Sequence, residues 1–85
     1  LLSILWMDIR KLFGTNVRRY RVDLNISQEA LGVRMGVDRA YVSAIERGVQ
    51  NVTLLSMWEV AQALGVRPAA LLVEDVVVKD DGTQT

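Results

Sequence analysis

The chain contains no cysteine and no histidine. The first absence excludes a disulfide and a thiolate metal site. The second removes the commonest general base and the commonest zinc ligand. The six glycines are dispersed, so nothing resembles a phosphate-cradling loop. Paired carboxylates occur only at Glu74 with Asp75 and Asp80 with Asp81, in a C-terminal stretch where solvation is their role. No arrangement suits catalysis, and no metal, cofactor or small-molecule ligand is implied. The chain is read as a non-enzyme.

There is also no excess of one charge, since ten basic residues face ten acidic ones. The distribution is uneven. Residues 1–50 carry eight Lys and Arg against five Asp and Glu, whereas residues 51–85 carry two against five. One basic face and one acidic end follow, a pattern that suits modest, salt-sensitive contact with nucleic acid. Long apolar runs are missing too. The opening LLSILW lacks the basic start, length and cleavage site of a secretory signal and is too short to span a membrane. It reads either as an extension before Met7 or as a continuation of the first helix covering a partner surface. A cytoplasmic, nucleoid-associated location is expected.

With 85 residues, half of them hydrophobic, the chain has room for one domain with one modest core. Its organising stretch is Ser27 to Gly48, SQEALGVRMGVDRAYVSAIERG. A helix over Gln28–Met35 must stop at Gly36, which takes the left-handed conformation at little cost. Asp38 then reads as the cap of a second helix, from about Arg39 to Arg47, closed by Gly48. Two helices joined by a three-residue turn form a helix-turn-helix. On the second, Val42, Ile45 and Tyr41 face inward, while Arg39, Ala40, Ser43, Ala44 and Arg47 share the outer side. Three small residues between two arginines let a helix axis approach a surface closely.

The remaining helices follow from a repeated device. Ile26 with Leu31, Val37 with Val42, Val52 with Met57 and Val66 with Leu71 are each five residues apart across a helix start, the spacing of a hydrophobic staple. Ser27, Asp38 and Thr53 are good caps, and Pro68 behind Arg67 suits a first helical position. A first helix over Asp8–Arg21 carries the stripe Ile9, Phe13, Val17, Tyr20. Arg19 on it reads as solvated charge. Asn25 suits a left-handed turn residue. The fourth helix, Leu54–Leu64, carries a core stripe of Leu54, Met57, Trp58, Ala61 and Leu64. The fifth spans Pro68 to about Val73. The expectation is all-α, five helices, with no strand before Val73. Residues 1–8 form an extension, 9–73 the domain and 74–85 a tail, in which Val76–Val78 forms either a short strand or an arm on a partner.

These stretches resemble the Cro and lambda-repressor-like (Xre) family of helix-turn-helix domains. The resemblance is carried by Ser27-Gln28-Glu29, Leu31, Gly36-Val37, Val42-Ser43 and Ile45-Glu46-Arg47-Gly48. It extends through Ala61 to Val66 and covers about Phe13 to Leu72. Asp38 to Ser43, with Asn51-Val52, looks most like the controller proteins of restriction–modification systems. The resemblance implies a homodimeric regulator that reads double-stranded DNA with its third helix. Arg39, Ala40, Ser43 and Ala44 would face bases. Arg39 is suited to fork onto guanine O6 and N7, and alanine to touch a thymine methyl. Such sparse readout leaves room for DNA shape.

Phosphate contacts would fall to Gln28, Tyr41, Arg47 and Asn51. Gln28 reads equally as an exposed helix starter, and Tyr41 as a packing residue. Where the family often has basic residues, the loop Val49-Gln50-Asn51 is uncharged. Arg21 and Glu46 would form a structural ion pair. The surplus apolar residues of helices 4 and 5, namely Leu55, Trp58, Ala69 and Leu72, would form the dimer interface. A second reading stands beside this one, a protein-interaction module such as an antitoxin or adaptor on the same fold. The zero net charge and uncharged loop favour it.

Overall fold

The computed structural model describes residues 8–74. The expectations for Leu1–Trp6, for Val76–Val78 and for the rest of the tail beyond Glu74 lie outside the described residues. Among the described residues four α-helices run in order: α1 (Ile9–Asp23), α2 (Gln28–Met35), α3 (Arg39–Glu46) and α4 (Leu54–Leu64). A 3-10 helix, Pro68–Leu72, closes the described chain. No strand occurs among the described residues.

Capping chemistry sets most of these ends. The Asp8 carboxylate accepts from the backbone N–H of Arg10 at 2.9 Å and starts α1. Ser27 Oγ accepts from Ala30 N at 2.9 Å, and Thr53 Oγ1 from Ser56 N at 3.0 Å. Each bond satisfies a donor that the first helical turn leaves orphaned. Gly36 and Gly65 end α2 and α4 in the left-handed conformation, at φ 74° and 73°. Asn25, at φ 60°, turns the chain between α1 and α2.

Helix α1 runs two residues beyond Arg21, to Asp23, and both ends of α3 also differ from expectation. Asp38 has the extended backbone of a cap, but its side chain accepts no backbone N–H. Its exposed carboxylate favours the helix start only through the dipole. The α3 helix also stops one residue early, with Arg47 as its C-cap.

The core is a single cluster. Phe13 and Val17 of α1 meet Leu31 of α2, Val42 and Ile45 of α3, Val60, Ala61 and Leu64 of α4, and Leu71. The staple residues Ile26, Val37, Val52 and Val66 are half-buried against it. Ile9 is not part of it. The first turn of α1 projects past the core, and Ile9 is 58 % exposed on the rim of an apolar groove of about 250 Å³.

The face that α4 buries also differs from the expected one. Leu54 is 80 % exposed and Trp58 49 %, whereas Val60 is fully buried. Met57, Val60, Ala61 and Leu64 satisfy the i, i+3, i+4, i+7 template as well as Leu54, Met57, Trp58 and Ala61 do. The helix is apolar nearly all round, so packing against α2 and the 3-10 helix, not periodicity, selects the stripe.

The fifth α-helix is not formed; five residues of 3-10 helix stand in its place. The segment needs only to present Leu71, which is fully buried. Asn16, 1 % exposed, secures it: its Nδ2 donates to the carbonyls of Leu71 at 2.9 Å and Val73 at 3.0 Å. These bonds take carbonyls that a longer helix would have used itself. Arg19 is not simply solvated either. It is half-buried and donates through Nη2 to Asn16 Oδ1 at 2.9 Å.

Helices α1 and α3 meet without side chains between them at one point. Gly14 is buried, and a Cβ there would overlap the carbonyl of Ile45 and approach that of Glu46 to 2.9 Å. Only glycine lets the last turn of α3 rest on α1.

Candidate nucleic-acid interface

The surface of interest is the outer side of α3 with its two flanks. Val42 and Ile45 are buried and hold the helix down. Arg39 and Ala40 are exposed at its start, Ser43 and Ala44 half-buried along it, and Arg47 exposed at its end. The structure thus brings the four candidate base-facing residues onto one helix. Tyr41 is half-buried and packs against the core, which leaves its ring structural. Asn51, in the loop before α4, is exposed.

A chain of hydrogen bonds runs beneath this surface. Arg21 Nε donates to Glu46 Oε2 at 2.6 Å and Nη2 to Oε1 at 3.0 Å. Arg21 Nη1 also reaches the carbonyl of Ile26 at 2.9 Å, tying the α1–α2 turn into the same cluster. Hydrogen bonding to the Glu46 carboxylate holds the Arg21 guanidinium above its usual pKa, against the burial that lowers it. Gln28 Nε2 donates to Glu46 Oε1 at 3.0 Å, and Arg39 Nη1 donates to Gln28 Oε1 at 3.0 Å. Gln28 is therefore not a bare helix starter. It bridges the base of α3 to the first residue of its outer face.

The far end of α3 is arranged differently. Arg47 Nε lies 3.3 Å from Ser43 Oγ, so two candidate residues are in contact with each other. Arg10 Nη1 reaches Asn51 Oδ1 at 3.4 Å while pairing with Asp8 at 2.9 Å. Lys11 packs its chain against Gly48. The start of α1 thus adds two cations beside the uncharged loop. Sequence reasoning passed over both, because only the tertiary fold joins positions about forty residues apart.

The four residues expected at a dimer interface, Leu55, Trp58, Ala69 and Leu72, are all exposed. Leu55 is 63 % exposed. No group of three or more His, Cys, Asp or Glu among the described residues is placed to hold a metal ion. No helix among them is long and apolar enough to cross a membrane.

Two short helices at a three-residue turn, the second packed down on one side and open on the other, define a helix-turn-helix unit. A model of the helix-turn-helix family HTH_3 matches residues 17–71. The control protein C.BamHI of Bacillus amyloliquefaciens is 46 % identical over 66 residues, covering 76 % of this chain and 82 % of that protein. The control protein C.SmaI of Serratia marcescens is 37 % identical over 80 residues, covering 94 % and 95 %. Among solved structures, the restriction-modification controller protein C.AhdI from Aeromonas hydrophila matches with a TM-score of 0.70 at 39 % identity, covering 73 % of this chain and 90 % of that one. The chain belongs to the HTH_3 (Xre-type) family of DNA-binding transcriptional regulators, and its relatives, restriction–modification controller proteins among them, are regulators rather than enzymes.

Proposed function

We propose that the protein binds a specific duplex DNA site as a homodimer and controls transcription from it, as a repressor or a controller-type activator and repressor. Residues 9–73 are the binding unit, and the protein works in the cytoplasm at the nucleoid. Helix α3 enters the major groove. Arg39 forks onto a guanine, while Ala40, Ser43 and Ala44 lie against neighbouring base edges. Gln28, Arg47 and Asn51 take phosphates, and the Tyr41 hydroxyl adds to them at the rim of its packed ring. Leu55, Trp58, Ala69 and Leu72 meet their copies across a two-fold axis. The two recognition helices then reach half-sites one DNA turn, roughly 34 Å, apart.

The observation that carries this reading is the outer side of α3, where small residues lie between two exposed arginines and Arg39 is held at the helix start by Gln28. Selection from a random duplex pool near physiological salt tests it. Enrichment of an inverted repeat with half-sites one turn apart is expected, with affinity that falls steeply as salt is raised. Absence of binding even at low salt would overturn it. The adaptor or antitoxin reading, supported by the uncharged Val49–Asn51 loop, would then take its place.

A further inference from the structure

We infer that Glu46 is a positioning residue for DNA readout: acting through Gln28, its carboxylate sets the direction in which Arg39 is presented. This rests on the proposed base contact of Arg39 and adds a residue that touches no DNA. The argument is one of donors and acceptors. Glu46, with its side chain only 4 % exposed, is locked by two bonds from Arg21. A carboxylate only accepts, so it must take the Nε2 end of the Gln28 amide, as it does at 3.0 Å. That choice leaves Oε1 of the same amide pointing away from Glu46. An outward oxygen attracts a cation, and Arg39 Nη1 sits on it at 3.0 Å. Were the amide reversed, its NH2 would face the guanidinium and no bond could form.

The polarity of the whole row, Arg21 to Glu46 to Gln28 to Arg39, is therefore determined at its buried end. The consequence appears at the exposed end. Arginine has five donors, and one of them is committed to Gln28. The guanidinium plane is thereby held, and the donors left over are aimed as a unit. An arginine without this tether samples many rotamers and loses orientation at a base edge. Glu46 thus serves the fold through Arg21 and base selectivity through Gln28.

The test compares the selected operator with one altered only at the base pair read by Arg39, and takes the ratio of the two dissociation constants. For the wild type this ratio is expected to be on the order of tenfold or more. Gln28→Met keeps the Arg21–Glu46 pair but breaks the row. It is expected to reduce the ratio several-fold when Arg39 is present, and to leave it unchanged in an Arg39→Ala background. Glu46→Gln, studied where its thermal transition shows it folded, should lower the same ratio, because its amide can offer NH2 to Gln28 and reverse it.

Uniform weakening by Gln28→Met on both operators, with the ratio intact, would reduce Gln28 to a phosphate contact and overturn the relay. An equal loss of ratio in the Arg39→Ala background would overturn it as well. If the wild type selects no DNA at all, the proposed function itself fails, and the relay with it. If it selects an operator and the ratio is insensitive to position 28, only the relay fails.

Discussion

Arg21 and Glu46 join the C-terminal ends of α1 and α3 through two hydrogen bonds of 2.6 and 3.0 Å, with side chains only 12 % and 4 % exposed. Such a pair is costly to halve, because the remaining charge stays buried without its partner. Glu46→Ala is expected to cost about 3–5 kcal/mol. Replacing both residues, Arg21→Met with Glu46→Leu, should recover most of that loss. Urea unfolding of the single and double variants checks this. Equal midpoints for wild type and Glu46→Ala would show that water screens the pair.

Asn16 supports the last described element in a different way. Both hydrogens of its amide are used on carbonyls at the end of the chain's 3-10 helix. Asn16→Leu leaves those carbonyls unpaired and is expected to destabilise the fold by about 1–3 kcal/mol. Denaturant unfolding reads the shift. An unchanged midpoint would mean that these two bonds contribute nothing to stability.

Arg39→Ala should cost about 1–3 kcal/mol of binding and relax preference at a single base position. Quantitative binding to operators varied one base pair at a time measures both quantities. Loss of affinity without loss of preference would move Arg39 from a base to a phosphate.

Leu55 is 63 % exposed, so its replacement need not disturb the core. If the proposed homodimer forms through α4, Leu55→Glu shifts it to monomer in sedimentation while its unfolding transition remains cooperative. A profile that stays dimeric would place the two-fold axis on another surface.

A pH effect follows from Asp8, whose carboxyl is lowered from 3.8 to about 2, first by the Arg10 side chain and then by the Arg10 backbone N–H. A depressed acid adds stability above its unfolded value and loses it as pH falls through the folded one. The stability difference between wild type and Asp8→Asn should therefore shrink from 3.8 down to about 2 and be constant above. Because Asp8 is at the surface, the effect is small and diminishes with salt. A difference that varies near neutrality would assign it to another group.

What the sequence made legible was punctuation. Ser27 with Gly36, and Thr53 with Gly65, bound α2 and α4 at the expected residues, since caps and left-handed glycines act locally. The face of α4 was not legible. Its apolar residues fit two stripes equally well, and only contact with α2 and the 3-10 helix chose between them. Asn16 gave no sign either, because a helical asparagine in sequence looks like a solvated one until its carbonyl partners, more than fifty residues away, are in place. At the candidate interface the outer residues of α3 were readable from helical spacing. The bonds tying Arg39 to Gln28 and Arg10 to Asn51 were not, since they depend on how the helices are set against one another.

The backbone contact at Gly14 bears on how such a protein can change over time. The last turn of α3 rests on α1 main chain to main chain. At this point the distance between the last turn of α3 and α1 is gauged by two backbones, while Val42 and Ile45 hold the rest of the helix down through their side chains. Residues elsewhere in the core can drift in size, and the protein will gain or lose stability accordingly, while this contact keeps the last turn of α3 at one distance from α1. A side chain at position 14 would change that distance, and with it how the outer side of α3 stands relative to the rest of the surface.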